Sequence, residues 1–214
     1  MTIIKFETVP VRESHEKIVD LEKFGFIVEP VYFNQGFSTE KRMFLREEVA
    51  NKLKLIEKDI FPFRFKIWDG YRSRTVQNNI YESFLNKLAK DHPDWDDEKL
   101  TNEVGIFVTS ANDANRVPPH ATGGSVDLTL VDEKGEDLDM GTKFDHFGPE
   151  ASSLYLEDND NNLKARDNRR ILRNAMANAD FRVDEDEWWH FDYGNQIWAL
   201  ILQKPYAIYG EVKE

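Results

Sequence analysis

An aspartate stands inside the most strand-like segment of this chain, and that limits what can surround it. In SVDLTLVD, residues 125–132, Asp127 lies between Val126 and Leu128, whose alternation predicts a β-strand with those two side chains in the core. A carboxylate left unpaired at such a position is costly, so the fold must bring it a partner. Either it is the acid of a salt bridge, or it ligates a metal opposite a histidine from the preceding loop. That loop, PPHATGG, carries His120; its prolines fix the approach to the histidine and its two glycines allow a tight turn into the strand.

The chain has no cysteine among its 214 residues, which removes disulfides, thiolate nucleophiles and cysteine zinc sites together. Any metal must therefore be held by His, Asp or Glu. Forty acidic against 28 basic residues leave a net charge of −12. Such a surface argues against nucleic acid, whose phosphates need a basic patch. An anionic substrate group would need a local arginine or lysine held against that general field. The first residues, MTIIKFETVPVRESHEK, lack the basic-then-apolar order of a signal peptide, and no segment approaches the roughly 20 apolar residues of a membrane span. The expectation is a soluble, cytoplasmic protein with a small-molecule substrate and no nucleic acid or membrane partner.

No repeat or Gly/Ser linker divides the chain, so one domain is expected over residues 1–214, with residues 1–38 as an N-terminal extension. Leu45, Val49, Leu53, Ile56 and Ile60 recur at steps of three and four within residues 38–60 and predict an amphipathic helix. FRFKIWDG reads as a short strand ending at the turn pair Asp69-Gly70. Val76, Ile80, Phe84, Leu85 and Leu88 predict a second helix closed by Pro93, and a shorter one is expected around residues 95–107. Residues 109–124 read as loop, dominated by Asn, Asp, Pro and Gly. After the strand at 125–132, EKGED makes a turn and LDMG returns as another strand. Ile171, Leu172, Ala175, Met176 and Ala179 have helical spacing, and residues 181–201 read as strand, turn, strand. With helices early and in the middle, and strands concentrated in the second half, the expected fold is α+β, a mostly antiparallel sheet with helices packed around it.

Five histidines bound the metal chemistry available. His15 lies in a charged segment and reads as solvated. His92 sits at a helix end, where a cation complements the dipole. His146, in KFDHFGPE, is open to either reading, which leaves His120 and His190. His190 closes EWWH, which is not the helical HExxH of many zinc proteases. Its neighbours are β-formers, so Glu187 and His190 would face opposite sides of a flat strand unless a bulge or strong twist turns them together. His120, Asp127 and His190 make a set of two histidines and one carboxylate, which leaves a tetrahedral Zn2+ one open position for water. Zinc would acidify that water and polarise a carbonyl, and Glu187 could carry the proton to a leaving amine. Arg72, in WDGYRSR, is the candidate cation for the developing oxyanion; its other reading is a surface arginine paired with one of the many acids. Trp188 and Trp189 would pack against the site, one toward the substrate and one toward the core if strand alternation holds.

WDGYRS, HATGGSVDLTL, MGTKFD, NRRILRNAM and EWWHF, in this order, resemble the D-alanyl-D-alanine dipeptidases of the vancomycin-resistance type in zinc peptidase family M15. The wider group includes D-Ala-D-Ala carboxypeptidases and hedgehog-like domains. The likeness runs from about Phe65 to Phe191. It implies one Zn2+ per chain held by His120, Asp127 and His190, with Glu187 as catalytic base and acid and Arg72 as stabiliser of the tetrahedral intermediate. It also implies that Asp145, in MGTKFD, lies near the free ammonium of a dipeptide substrate. Three departures bear on the substrate. Pro118-Pro119 precedes the first histidine where relatives carry small hydroxyl residues, YRS replaces YRP, and the tyrosine that approaches the amine has only Tyr32 and Phe24 as candidates. Alternatives are a D,D- or L,D-carboxypeptidase acting on peptidoglycan peptides, and a non-catalytic zinc- or peptide-binding domain.

Overall fold

The computed structural model describes residues 8–107, 111, 117–146, 148–158 and 162–213. Residues 109, 110 and 112–116 of the expected loop and the first seven residues of the chain lie outside that set. The centre of the fold is β5 (Ser125–Val131), buried at every position. It pairs antiparallel with β4 (Arg64–Asp69) on one side and with β7 (His190–Asp192) on the other. Two short edge strands complete the sheet. β2 (Ile27–Val28) runs parallel to β4, and β6 (Arg182–Val183) runs antiparallel to β7, for an order β2-β4-β5-β7-β6. A separate pair, β1 (Ile18–Asp20) and β3 (Phe44–Arg46), lies antiparallel beside it.

The expected α+β class and mostly antiparallel sheet are what the chain forms, but strands are not confined to its second half. The predicted helix at 38–60 begins only at Glu47: α2 spans Glu47–Asp59, and Leu45 belongs to β3. Leu45 is fully buried, as a core strand residue also is, so its spacing from Val49 fits both structures. Glu47 and Glu48 occupy the first turn, where negative charge complements the helix dipole. The C-terminal QIWALI is a helix, α6 (Gln196–Ile201), not a strand. Asn195 accounts for the difference, because its side chain accepts the Trp198 N–H and caps a helix where the second strand of that segment was expected to run on. LDMG forms no strand: an isolated bridge pairs Val131 with Asp137, the last residue of EKGED, and the Leu138 N–H donates to the Leu130 carbonyl.

α3 (Arg74–Asp91) and α5 (Leu163–Asn178) follow the predicted periodicity, and α4 (Asp97–Phe107) packs on α3. His92 caps α3 and stacks on Trp95 at 3.8 Å. The core joins Val49, Leu53 and Ile56 of α2, Leu172 and Met176 of α5, and Phe65, Ile67, Leu128, Leu130 and Phe191 of the sheet. Each such side chain contributes roughly 1.5–3 kcal/mol by leaving water. That core holds β4, β5 and β7 in one register at the end of the sheet where the polar residues gather. No helix among the described residues is long and apolar enough to cross a membrane.

Candidate active site

The site grows from a single row across the sheet. In the register of β4, β5 and β7, Asp69 faces Asp127 and Asp127 faces His190. Directly opposed residues on neighbouring strands bring their side chains together on one face. Asp69 reaches this row through an irregularity: Ile67 pairs with Leu128 and Asp69 with Asp127, leaving Trp68 as the extra residue of a bulge. The Asp69-Gly70 pair, expected as a turn, owes its glycine to crowding. A Cβ on Gly70 would stand 2.5 Å from the Phe44 carbonyl oxygen.

His120 enters from a short 3-10 turn, Pro119–Thr122. Pro118 and Pro119 occupy its cap and first position, where a missing N–H costs nothing. Gly123 closes the turn at a φ of 69°, which a side chain would oppose. The three expected ligands converge. His120 Nε2 is 3.2 Å from His190 Nδ1 and 3.4 Å from Asp127 Oδ2, and His190 Nδ1 is 2.9 Å from Asp127 Oδ1. All three residues are buried.

The far nitrogen of each ring has its own acceptor. His120 Nδ1 lies 2.8 Å from the Gly70 carbonyl and 3.2 Å from Asp69 Oδ2; His190 Nε2 lies 3.2 Å from Asp192 Oδ1. Asp192 is itself fixed by Ser125, Asn195 and Arg182 at 2.6, 2.7 and 2.7 Å. When both far nitrogens donate, the two facing nitrogens present lone pairs to each other beside a carboxylate. Such a set repels itself unless a cation is shared among its members, so these residues fit a metal ion. Charge agrees with that fit. Burial disfavours protonated His190, yet Asp192 and Asp127 outweigh burial and raise its pKa well above the ordinary value. Burial likewise pushes Asp127 up, and the two histidines outweigh it and hold its carboxyl well below the usual range. Carboxylates that favour a proton on His190 favour a metal cation there too.

Arg72 follows β4 and is buried beside this row. Its Nε and Nη2 contact Asp69 Oδ2, both at 2.8 Å, Nη1 donates to Gln77 Oε1 at 2.9 Å, and Nη2 is 3.6 Å from Asp127 Oδ2. The guanidinium also lies over the Tyr32 ring, 4.6 Å from its centre. Of the two aromatic candidates near the amino terminus, Tyr32 is the one at the site: its hydroxyl donates to Asp145 Oδ1 at 3.2 Å. Phe24 stacks on Phe26 away from it. Asp145 takes a left-handed backbone conformation, φ 56°, and burial pushes its carboxyl up to about 7, with repulsion from Asp127 adding to the effect.

Glu187 does not share a strand with His190. It opens a turn in which the His190 N–H donates to the Glu187 carbonyl at 3.2 Å, so the question of strand faces does not arise. Burial drives its carboxyl up to about 8 against the pull of His190, with Asp127, Asp184 and Asp145 adding repulsion. Trp188 and Trp189 belong to the same turn and are both buried. The Trp188 indole N–H donates to Thr142 Oγ1 at 2.8 Å, and its ring borders a cavity of about 530 Å³ with Trp68 and Phe144. Trp189 packs edge-on against Phe144, 5.6 Å between ring centres. His146 lies 3.3 Å from Glu150. Sequence reasoning passed over Asp69, Gln77 and Asp192. Asp192 had a visible signal, an acid two residues beyond a candidate ligand in a strand pattern, whereas Gln77 looked like any polar residue on a helix.

A family model for Peptidase M15, described as D-Ala-D-Ala dipeptidase, matches residues 32–209. The chain belongs to that family. This M15 peptidase is 26% identical to a D-alanyl-D-alanine dipeptidase of Synechocystis, over 96% of its own length and 95% of the relative's. It is 31% identical to a D-alanyl-D-alanine dipeptidase of Enterococcus faecium, over 58% of its length and 59% of the other. Among solved structures it resembles the LD-carboxypeptidase LdcB, at a TM-score of 0.41 and 19% identity over 89% of this chain and 74% of that one. A Zn(II) complex of the D,D-pentapeptidase VanY gives a TM-score of 0.40 at 13% identity over 77% and 82%.

Proposed function

We propose that this M15 peptidase is a zinc-dependent dipeptidase that hydrolyses D-alanyl-D-alanine or a closely related D,D-dipeptide. The observation that carries the reading is the convergence of His120, Asp127 and His190, with Arg72 3.6 Å from Asp127 and a Glu187 of raised pKa that feels the charges of His190 and Asp127. The names of the curated relatives support the substrate class. His120 Nε2, the Asp127 carboxylate and His190 Nδ1 would hold one Zn2+ per chain. When bound, the ion supplies an electrophile for the scissile carbonyl and acidifies a water molecule.

The chain's own residues do the rest. Glu187 accepts a proton from the attacking water and returns it to the leaving amine, so the peptide C–N bond breaks as a C–O bond forms. A carboxyl whose pKa lies near neutrality suits both halves of that transfer. Arg72, kept charged by Asp69 and Asp127, offers its guanidinium to the negative charge that develops on the carbonyl oxygen. Asp145 and the Tyr32 hydroxyl receive the substrate ammonium. A cation there stabilises the ionised form of Asp145, which burial otherwise opposes. Trp188 and Trp189 line the approach and keep water from the turn that carries Glu187. One core running from Leu21 to Tyr209 supports reading the chain as a single domain.

The test incubates zinc-loaded protein with D-Ala-D-Ala, L-Ala-L-Ala, D-Ala-D-lactate and a peptidoglycan pentapeptide, and follows released alanine. Cleavage of D-Ala-D-Ala with the pentapeptide left intact is expected. Cleavage of the pentapeptide alone would mean a carboxypeptidase instead. A protein that binds no zinc and gains no activity on reconstitution would end the metal reading.

A further inference from the structure

Arg169 lies on α5, outside the row of site residues, and is 3% exposed. Its guanidinium donates to three backbone carbonyls: Nε to Met140 at 2.6 Å, Nη1 to Ser152 at 2.8 Å and Nη2 to Glu150 at 2.9 Å. Burial lowers its pKa to about 10, so a charge is being kept under cover to make these bonds. Met140 and Glu150 bracket the segment that carries Asp145, and one side chain thus ties both ends of that loop.

The same segment is tied on its other face to the turn that carries Glu187. The Trp188 N–H donates to the Ala151 carbonyl at 3.0 Å, between the two carbonyls that Arg169 takes. The Ser153 N–H donates to the Glu185 carbonyl at 3.0 Å and its hydroxyl to the Asp184 carbonyl at 2.5 Å. Across the loop, the Trp188 indole reaches Thr142, and the Arg169 guanidinium covers the Trp188 ring at 5.5 Å.

We propose that Arg169 is a positioning residue that locks the Asp145 loop to the Glu187 turn and so fixes the distance between amine recognition and proton transfer. This rests on the roles proposed above for Asp145 and Glu187. A dipeptide has one peptide bond at a fixed reach from its ammonium, so selectivity for it depends on keeping those two carboxylates in register. His120, Asp127 and His190 sit on other elements, and metal content should not depend on Arg169.

The experiment compares Arg169→Lys and Arg169→Met with the natural chain in two ways. Hydrogen–deuterium exchange should rise together in residues 140–152 and 185–189 while β5 and β7 stay protected. The ratio of kcat/KM for D-Ala-D-Ala to that for N-acetyl-D-Ala-D-Ala should fall by about tenfold or more at unchanged zinc content, the size of effect a small misplacement produces. Exchange unchanged in either segment, or raised equally in β5, would overturn the proposal, as would lower kcat with the ratio preserved. If both variants fail to fold, Thr142→Val removes the indole's acceptor at low structural cost. It should raise exchange in the same two segments, and no rise there overturns the proposal. If the natural chain cleaves neither dipeptide, the proposed function fails, and exchange then decides only whether Arg169 ties the two segments together.

Discussion

In this M15 peptidase the residues proposed to hold the ion, His120 on its 3-10 turn excepted, and those proposed to meet the substrate are positioned by opposite means. Asp69, Asp127 and His190 stand where the backbone ladder of β4, β5 and β7 puts them, and no side chain outside the row is needed to set their order. Asp145 and Glu187 stand on a loop and a turn that no ladder crosses, tied instead by bonds from Arg169, Trp188 and Ser153 to main-chain carbonyls. Register is rigid because a one-residue slip would turn every side chain to the wrong face of a buried strand. A tied loop can change with only a few bonds lost. On the proposed roles, ion holding would fall mostly to the part of the fold least open to variation, and substrate choice to the part most open to it.

Four outcomes would sharpen or break this division. Glu187→Gln should lower kcat about 10²- to 10⁴-fold, the usual worth of a general acid–base group, with zinc still bound by elemental analysis. Loss of zinc instead would move Glu187 into the metal's own set. Asp192→Asn removes the charge behind His190 and should speed zinc loss to a chelator by about 10- to 100-fold. An unchanged rate would show that register alone orients His190. Asp145→Asn should raise KM for D-Ala-D-Ala about tenfold or somewhat more, with a smaller change in kcat; a purely kcat effect would erase the distinction between recognition and chemistry.

The smallest effect concerns pH. In metal-free protein Glu187 and Asp145 have folded pKa values raised to about 8 and about 7 from 4.5 and 3.8. The folded state then binds more protons than the unfolded state between those limits, so their contribution to stability falls as pH rises from about 4 to 8. Thermal melts of the metal-free chain should show this decline, and Glu187→Gln should flatten it. An equal slope in the variant would assign the decline to other groups.

Much of the proposed ion-holding side was legible in the sequence, because Asp127 in an apolar strand demanded a partner and His120 stood seven residues before it with turn residues on both sides. The resemblance to the family favoured the oxyanion reading of Arg72 over the surface one and alone supplied the expected place of Asp145. What could not be read was register. Nothing local says that β4 bulges at Trp68 and so brings Asp69 opposite Asp127. Glu187 was assigned to a strand because tryptophans favour strands, yet Trp188 and Trp189 bury themselves equally well from a turn. QIWALI carried an ambiguity of the same kind: a short apolar run fits helix or strand, and the Asn195 cap decides it. Tyr32 reached the site through tertiary contact alone.

The cross-strand row also orders events in time. Asp69, Asp127 and His190 are drawn from segments far apart in the chain, and their meeting requires β4, β5 and β7 to be paired already. Of the three proposed ligands, only His120 and Asp127 stand close in the chain before that pairing, a weak pair. On the proposed ligand set, zinc would stabilise the finished sheet rather than nucleate it, so zinc added before folding should not speed the pairing of β4, β5 and β7.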